Sequence, residues 1–215
     1  LFGSARTFFS TEGSSQCIRA MLALALWNAG TPPGKRPLVA AGRNVHKAFL
    51  YAAALLDFDV LWLWPEEPSP SLCACGVTPE GLERALAGAR PAAVYVTSPD
   101  YLGGQCDIAA LAETAHRRGV PLLVDNAHGA YLHFLPAPAH PMDLGADLCC
   151  DSAHKTLPVL TGGAYLHVGA GAPAAFRQEG RRALALFGST SPSYLILQSL
   201  DLCSRYLAGG YPARL

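Results

Sequence analysis

The sequence predicts an α/β domain of three layers, α/β/α, in which helices cover both faces of a mainly parallel seven-stranded sheet. Three observations predict it. Seven short runs rich in Val, Leu, Phe and Tyr recur along the 215 residues. Ala/Leu-rich stretches with helical spacing lie between most of them. Several of the runs are apolar at successive positions, the pattern of strands whose two faces are both buried under helices.

Taken in order, "RTFFS" (6–10) is the first strand, and "STEGSSQ" leads into a helix over 14–29. That helix contains "AMLALALW" (20–27), far short of the ~18 apolar residues a membrane span needs. "PLVAA" (37–41) and "VLWLW" (60–64) are the next strands, with a helix over 46–56 between them. The Pro-rich "PEEPSPS" (65–71) is a surface connection, because the alternation resumes beyond it. Thr78 before Pro79 and Glu80 marks the start of a helix over 79–88, a hydroxyl cap followed by proline in the first turn. After the strand "AAVYVTS" (92–98), Asp107 caps a helix over 107–118 that Gly119 closes. "PLLVD" (121–125), a second Pro-rich surface connection "LPAPAHP" (135–141), "DLCCD" (147–151) and "AYLHV" (164–168) complete the pattern.

Length favours one domain with a substantial core. Apolar residues make up 51% and charged residues 15%, so the chain carries more hydrophobic surface than usual, fit for covering by further chain or a second subunit. Sixteen basic and sixteen acidic residues balance without a basic block, which argues against nucleic acid and membrane surfaces and for a small-molecule partner. Seven cysteines, an odd number set mostly in apolar segments, speak for a reducing, cytoplasmic compartment. Cys73/Cys75 and Cys149/Cys150 lack metal-ligand spacing, so no metal is expected. "LFGSARTFFS" has neither a basic leader nor a long apolar core, and a chain beginning at Leu1 reads as a fragment.

Ligands of such sheets sit beyond the carboxyl ends of the strands. Three features fall there: Ser14 and Ser15 opening a helix, Asp125 ending a strand, and Lys155, one of only three lysines, in "DSAHKT". Each alone has an ordinary reading. Serine at a helix start caps it as readily as it holds an anion, Asp at a strand end forms turns, and most lysines are solvated. Together they are the set pyridoxal phosphate requires: a phosphate cradle, a carboxylate for the pyridine nitrogen and an amine for the aldehyde. Arginine cannot serve in place of that amine, because it does not lose its proton.

The runs "RNVHK" (43–47), "TSPDYLGGQCDI" (97–108), "VDNAHGAYLHF" (124–134), "DSAHKTLPVLTGGAYLHV" (151–168) and "STSPSYLILQSLD" (189–201) resemble the Orn/Lys/Arg decarboxylase family, in order and over nearly the whole chain. That family has the aspartate aminotransferase fold of pyridoxal phosphate enzymes. The resemblance implies that residues 1–215 are the cofactor-binding major domain, without the N-terminal segment and the C-terminal domain. It implies Lys155 as the Schiff-base lysine, Asp125 as partner of the pyridinium nitrogen and His46 stacked on the ring. Ser14 and Ser15, with Ser152 and His154, would hold the phosphate; Ala127 would pack under the ring and His128 lie near its phenolic oxygen.

The implied activity is decarboxylation of lysine, ornithine or arginine to the amine, at a site near a homodimer interface that "GSTSPS" (188–193) reaches. An aminotransferase or lyase on the same scaffold, and a catalytically silent relative with a binding role, are the alternatives. Departures from the family pattern stand at Glu12 (commonly Asn), Asn126 (usually Glu) and Tyr131 (often His). Glu12, Asp100 or residues outside this chain are the acids considered for the substrate's distal group. His116, His133, His140 and His167 match nothing catalytic and are expected to be structural.

Overall fold

The computed structural model describes residues 1–66, 71, 73–209 and 211. β1 (Arg6–Ser10), β2 (Leu38–Gly42), β3 (Asp59–Leu63), β4 (Ala93–Thr97), β5 (Leu122–Asp125), β6 (Leu148–Asp151) and β7 (Ala164–Val168) form one sheet in the order β1-β7-β6-β5-β4-β2-β3. Neighbours from β6 through β5, β4 and β2 to β3 are parallel, while β7 runs antiparallel to both β6 and β1. The expected sheet is therefore present, with each strand within a residue or two of its sequence-based bounds.

The helices are α1 (Gly13–Ala29), α2 (Lys47–Leu56), α3 (Pro79–Ala87), α4 (Ile108–Arg117), α5 (Ala153–Thr156), α6 (Ala174–Leu186) and α7 (Tyr194–Gly209). Alternate strand residues feed two cores. Val39, Ala41, Tyr95, Leu123 and Cys150 pack with α1, α2 and α6, whereas Ala40, Val94, Val96, Val124 and Cys149 pack with α3 and α4. Period-two alternation into two buried layers explains why the strands read as continuous apolar runs. The run 20–25 of α1 is buried on every side, because this helix is wedged between the sheet, α2 and α6. No helix among the described residues is long and apolar enough to cross a membrane.

Local signals act as read. The Thr78 side chain accepts from the Gly81 amide, with Pro79 in the first turn. Asp107 accepts from the Ala110 amide, and Gly119 leaves α4 at φ +68°. One reading needs correction: the connection over 135–141 does not stay on the surface, since His140 and Pro141 are buried. Two polar contacts hold them there, described below. Within 65–71, residues 67–70 lie outside the described residues. All seven cysteines are unpaired, and five of them are buried.

Candidate active site

β1, β2, β4, β5 and β6 all run the same way, so their carboxyl ends open onto one edge of the sheet. There a cavity of about 290 Å³ is lined by Ser14, Arg43, Asn44, Val45, His46, Cys73, Thr97, Tyr101, Asp125, Ala127, His128 and Lys155. The volume sits at the small end of the roughly 300–1,000 Å³ typical of ligand clefts. Larger hollows elsewhere among the described residues carry no such convergence of carboxylate, imidazole and amine. Six of the nine residues singled out from the sequence share this cavity.

Asp125 ends β5 only 2% exposed. Its Oδ2 accepts from the Tyr95 hydroxyl at 3.1 Å and its Oδ1 from the Ala127 amide at 3.2 Å. Burial pushes its carboxyl above the usual range, against the opposing pull of the Ala127 amide, His46, Tyr95 and Lys155. Among the described residues no cation stands within ion-pair distance of it. Thr97, its register partner at the end of β4, lies in the same wall with its Oγ1 buried and without a hydrogen-bond partner. A buried carboxylate short of a cation beside an unsatisfied hydroxyl is what a cationic, hydrogen-bonding ring would complete.

Lys155 leaves the four-residue α5, and its Nζ lies 3.1 Å from His128 Nε2. Burial lowers the pKa of His128, with Lys155 adding to the effect. His46 caps α2: its Nδ1 accepts from the Ala48 amide at 3.2 Å, which leaves Nε2 to carry the ring proton. Burial also lowers the pKa of His46, and Lys155 and Lys47 push the same way against Asp125.

Ser14 sits in the first turn of α1, where amides lack intrahelical partners and the helix dipole is positive. The Ser152 hydroxyl donates to Ser14 Oγ at 2.7 Å, so Ser152 reaches the cavity through Ser14. Ser15 and His154 do not line the cavity, and the His154 ring faces the Gly163 carbonyl at 3.0 Å. Glu12 and Asp100 lie outside the wall as well: Glu12 accepts from the Ser189 amide, and Asp100 Oδ1 from the amides of Leu102 and Gly104. The reading of the sequence missed Tyr95, Thr97, Arg43 and Tyr101. The first two were visible as polar residues inside the otherwise apolar "AAVYVTS".

Behind the cavity the histidines left as structural do fixed work. His140 Nε2 and His167 Nε2 each meet Asp151 Oδ2 at 3.0 Å, and Asn126 Nδ2 donates to Asp151 Oδ1 at 2.7 Å. Met142 donates to His140 Nδ1, which accounts for the buried end of the 135–141 connection. Burial drives the Asp151 carboxyl upward, but the two histidines outweigh it and hold it well below the usual carboxylate range. Asn126 stands where the resembled family usually has Glu, and here it donates to a carboxylate, which an ionised Glu cannot. Cys149 approaches the same group, but burial raises its thiol pKa well above the ordinary value. His116 pairs with Asp147 and His133 with Asp143.

Comparison with known proteins places the chain in a family and a fold. The family model described as Orn/Lys/Arg decarboxylase, major domain, matches residues 1–215. An arginine decarboxylase of Halalkalibacterium halodurans is 35% identical over 210 residues, covering 96% of this chain and 41% of that protein. An arginine decarboxylase of Bacillus subtilis is 35% identical over 211 residues, with 96% and 41% covered. Lysine decarboxylase A from Pseudomonas aeruginosa superposes with a TM-score of 0.75 at 25% identity, over 99% of this chain and 30% of that one. The chain thus spans about two-fifths of the length of these curated relatives.

Proposed function

Because the chain belongs to the Orn/Lys/Arg decarboxylase family, we propose that it is the cofactor-binding major domain of an enzyme that removes carbon dioxide from a basic amino acid, lysine, ornithine or arginine. The observation that carries the proposal is the meeting of Asp125 and Lys155, 30 residues apart in sequence, in the wall of one cavity with His46. Arginine is the first substrate to test, since the two bacterial relatives carry that name.

Membership implies pyridoxal 5'-phosphate, whose protonated ring, when bound, takes up the electron pair that departing carbon dioxide leaves behind. The protein's own contribution is positional and electrostatic. Asp125 supplies the buried negative charge that keeps a proton on a ring nitrogen, and Tyr95 and the Ala127 amide fix the direction of that carboxylate. Lys155 supplies the primary amine, and the neutral His128 ring beside it can take up or return a proton. His46, held by its bond to the Ala48 amide, would cover one face of the ring and Ala127 the other. Ser14 and Ser152, with free amides of the first turn of α1, would hold phosphate oxygens. Ser15 and His154 would add to that hold from farther out.

Glu12, Asn126 and Tyr131, the three departures from the family pattern, all lie outside the cavity wall, which weakens the case for a silent relative. The wall holds Asp125 as its one carboxylate, so an acid for the substrate's distal cation comes from beyond this set. We infer a homodimer at least, as the apolar side chains of Trp64, Tyr101 and Leu102, all more than 60% exposed, invite a covering surface. The free cysteines favour a cytoplasmic protein, and the product is an amine of the kind polyamines are built from.

The test is absorbance of the purified protein with added cofactor. A band at the violet edge of the visible, lost on borohydride reduction and absent in Lys155→Ala and Lys155→Arg, is the expected result. Incubation with arginine, lysine and ornithine then releases carbon dioxide; formation of a keto acid instead would point to transamination and overturn the proposal.

A further inference from the structure

Asp125 ends β5 and Lys155 stands in α5 just beyond β6, and their side chains must keep one spacing if both are to address the same ring. The structure holds a device for this on the opposite side of the sheet. Successive strand residues face opposite ways, so Asn126, directly after Asp125, turns its back on the cavity. Asp151, which ends β6, turns the same way, and both are 0% exposed. Asn126 Nδ2 donates to Asp151 Oδ1 at 2.7 Å, and the Asn126 amide donates to the Cys150 carbonyl at 3.0 Å. From Asp151 the chain passes through Ser152 directly into α5, a helix of four residues with no side-chain cap bond of its own. Such a short helix has little independent rigidity, and its direction is set where it leaves β6.

Asp151 is itself fixed on its other oxygen. His140 Nε2 and His167 Nε2 both lie 3.0 Å from Oδ2. Neither imidazole is free to turn, because His140 Nδ1 accepts from the Met142 amide and His167 Nδ1 lies 2.8 Å from Thr7 Oγ1. The carboxylate therefore has one orientation, and its Oδ1 accepts from Asn126 at close range, with the weaker Cys149 thiol donor at 3.6 Å.

We infer that Asn126 and Asp151 are a positioning pair that latches the carboxyl ends of β5 and β6 together, and so sets the placement of Lys155 relative to Asp125. The inference rests on the function proposed above and names residues that touch neither cofactor nor substrate.

The experiment exchanges donor and acceptor. Asn126→Asp brings two carboxylates together, Asp151→Asn removes the charge, and the double variant Asn126→Asp/Asp151→Asn restores an amide-to-carboxylate bond of the same size in the reverse sense. Three readouts are compared with wild type: the Lys155-dependent absorbance band and its pH midpoint, the pH profile of Lys155 acylation in cofactor-free protein by mass spectrometry, and kcat against KM. Expected are single variants with a shifted pH midpoint, an altered acylation profile and kcat reduced about tenfold or more at little-changed KM, corresponding to roughly 1.4 kcal/mol of transition-state stabilisation. The double variant is expected to regain most of all three.

Single variants with wild-type midpoint, acylation and kcat overturn the inference. So does a double variant that recovers the melting temperature without the midpoint and the acylation profile, since the pair would then be structural only. If a single variant does not fold, the double variant decides by the same criterion. A wild-type protein without the Lys155-dependent band overturns the proposed function and this inference with it, whereas a band that all variants share overturns this inference alone.

Discussion

Asp125 presents a conflict between stability and function within one side chain. Its folded-state pKa is raised by burial above the unfolded value near 3.9. A raised carboxyl contributes stability below its unfolded pKa and loses it as pH rises through the folded pKa, so ionisation of this group works against the cofactor-free fold. Asp125→Asn is therefore expected to raise the melting temperature of cofactor-free protein at pH 7.5 in a calorimetric scan. The same change weakens cofactor binding in a titration by ~10-fold or more, since hydrogen bonds to charged groups contribute roughly 1.5–3 kcal/mol. A variant that lost both stability and affinity would show that the carboxylate serves packing first. The positions of Asp125 and Lys155 in the cavity wall were legible from their residue types and strand-end places. The roles of Tyr95 and Thr97 were not, because a hydroxyl inside an apolar strand acquires a partner only once the neighbouring strand is in register.

Individual elements were legible wherever their signal is local. α3 and α4 announce themselves by Thr78-Pro79 and by Asp107 with Gly119, and Thr78→Ala is expected to cost about 1 kcal/mol in urea unfolding by loss of the bond to the Gly81 amide. α5 is too short for any periodicity to show, and α6 follows Pro173 without a side-chain cap. The seat of α6 is instead a matter of packing. A Cβ on Gly180 would collide with the ring of Phe8 on β1. Gly180→Ala is expected to destabilise by roughly 1–3 kcal/mol, the range for overpacking a filled core. Pairing it with Phe8→Leu should recover a measurable part in the same denaturation series, and an additive pair would place the strain elsewhere.

Across the whole molecule, burial decides the response to acid. His167 is fully buried and its pKa is lowered by that burial, as are those of the partly exposed His46 and His128. The unfolded chain then binds protons first as pH falls below about 6.5, so stability declines on that side. Asp151 has a depressed carboxyl, so its contribution is fully present above about 3.9 and fades only as pH drops through the folded value. The melting temperature is therefore expected to fall from pH 7 to pH 5, more shallowly in His167→Gln, with His167 carrying more than the two solvent-screened histidines. An unchanged slope in that variant would move the effect to other groups.

By itself the sequence determined the layers, the strand bounds and the starts of α1 to α4, because these depend on the chemistry of neighbouring residues: two-sided apolar runs, hydroxyl caps, a glycine free to take positive φ. Through the resemblance of its motifs to a known family, it also marked Lys155, Asp125, His46, Ser14, Ala127 and His128, which line one cavity. Only the tertiary structure decided that β7 runs against both its neighbours and that Glu12 and Asp100 turn away from the cavity. Only there does Asp151 gather His140, His167 and Asn126 behind the sheet. Those facts join residues far apart in the chain, and a buried polar group chooses its partner from whatever the packed strands bring within about 3 Å.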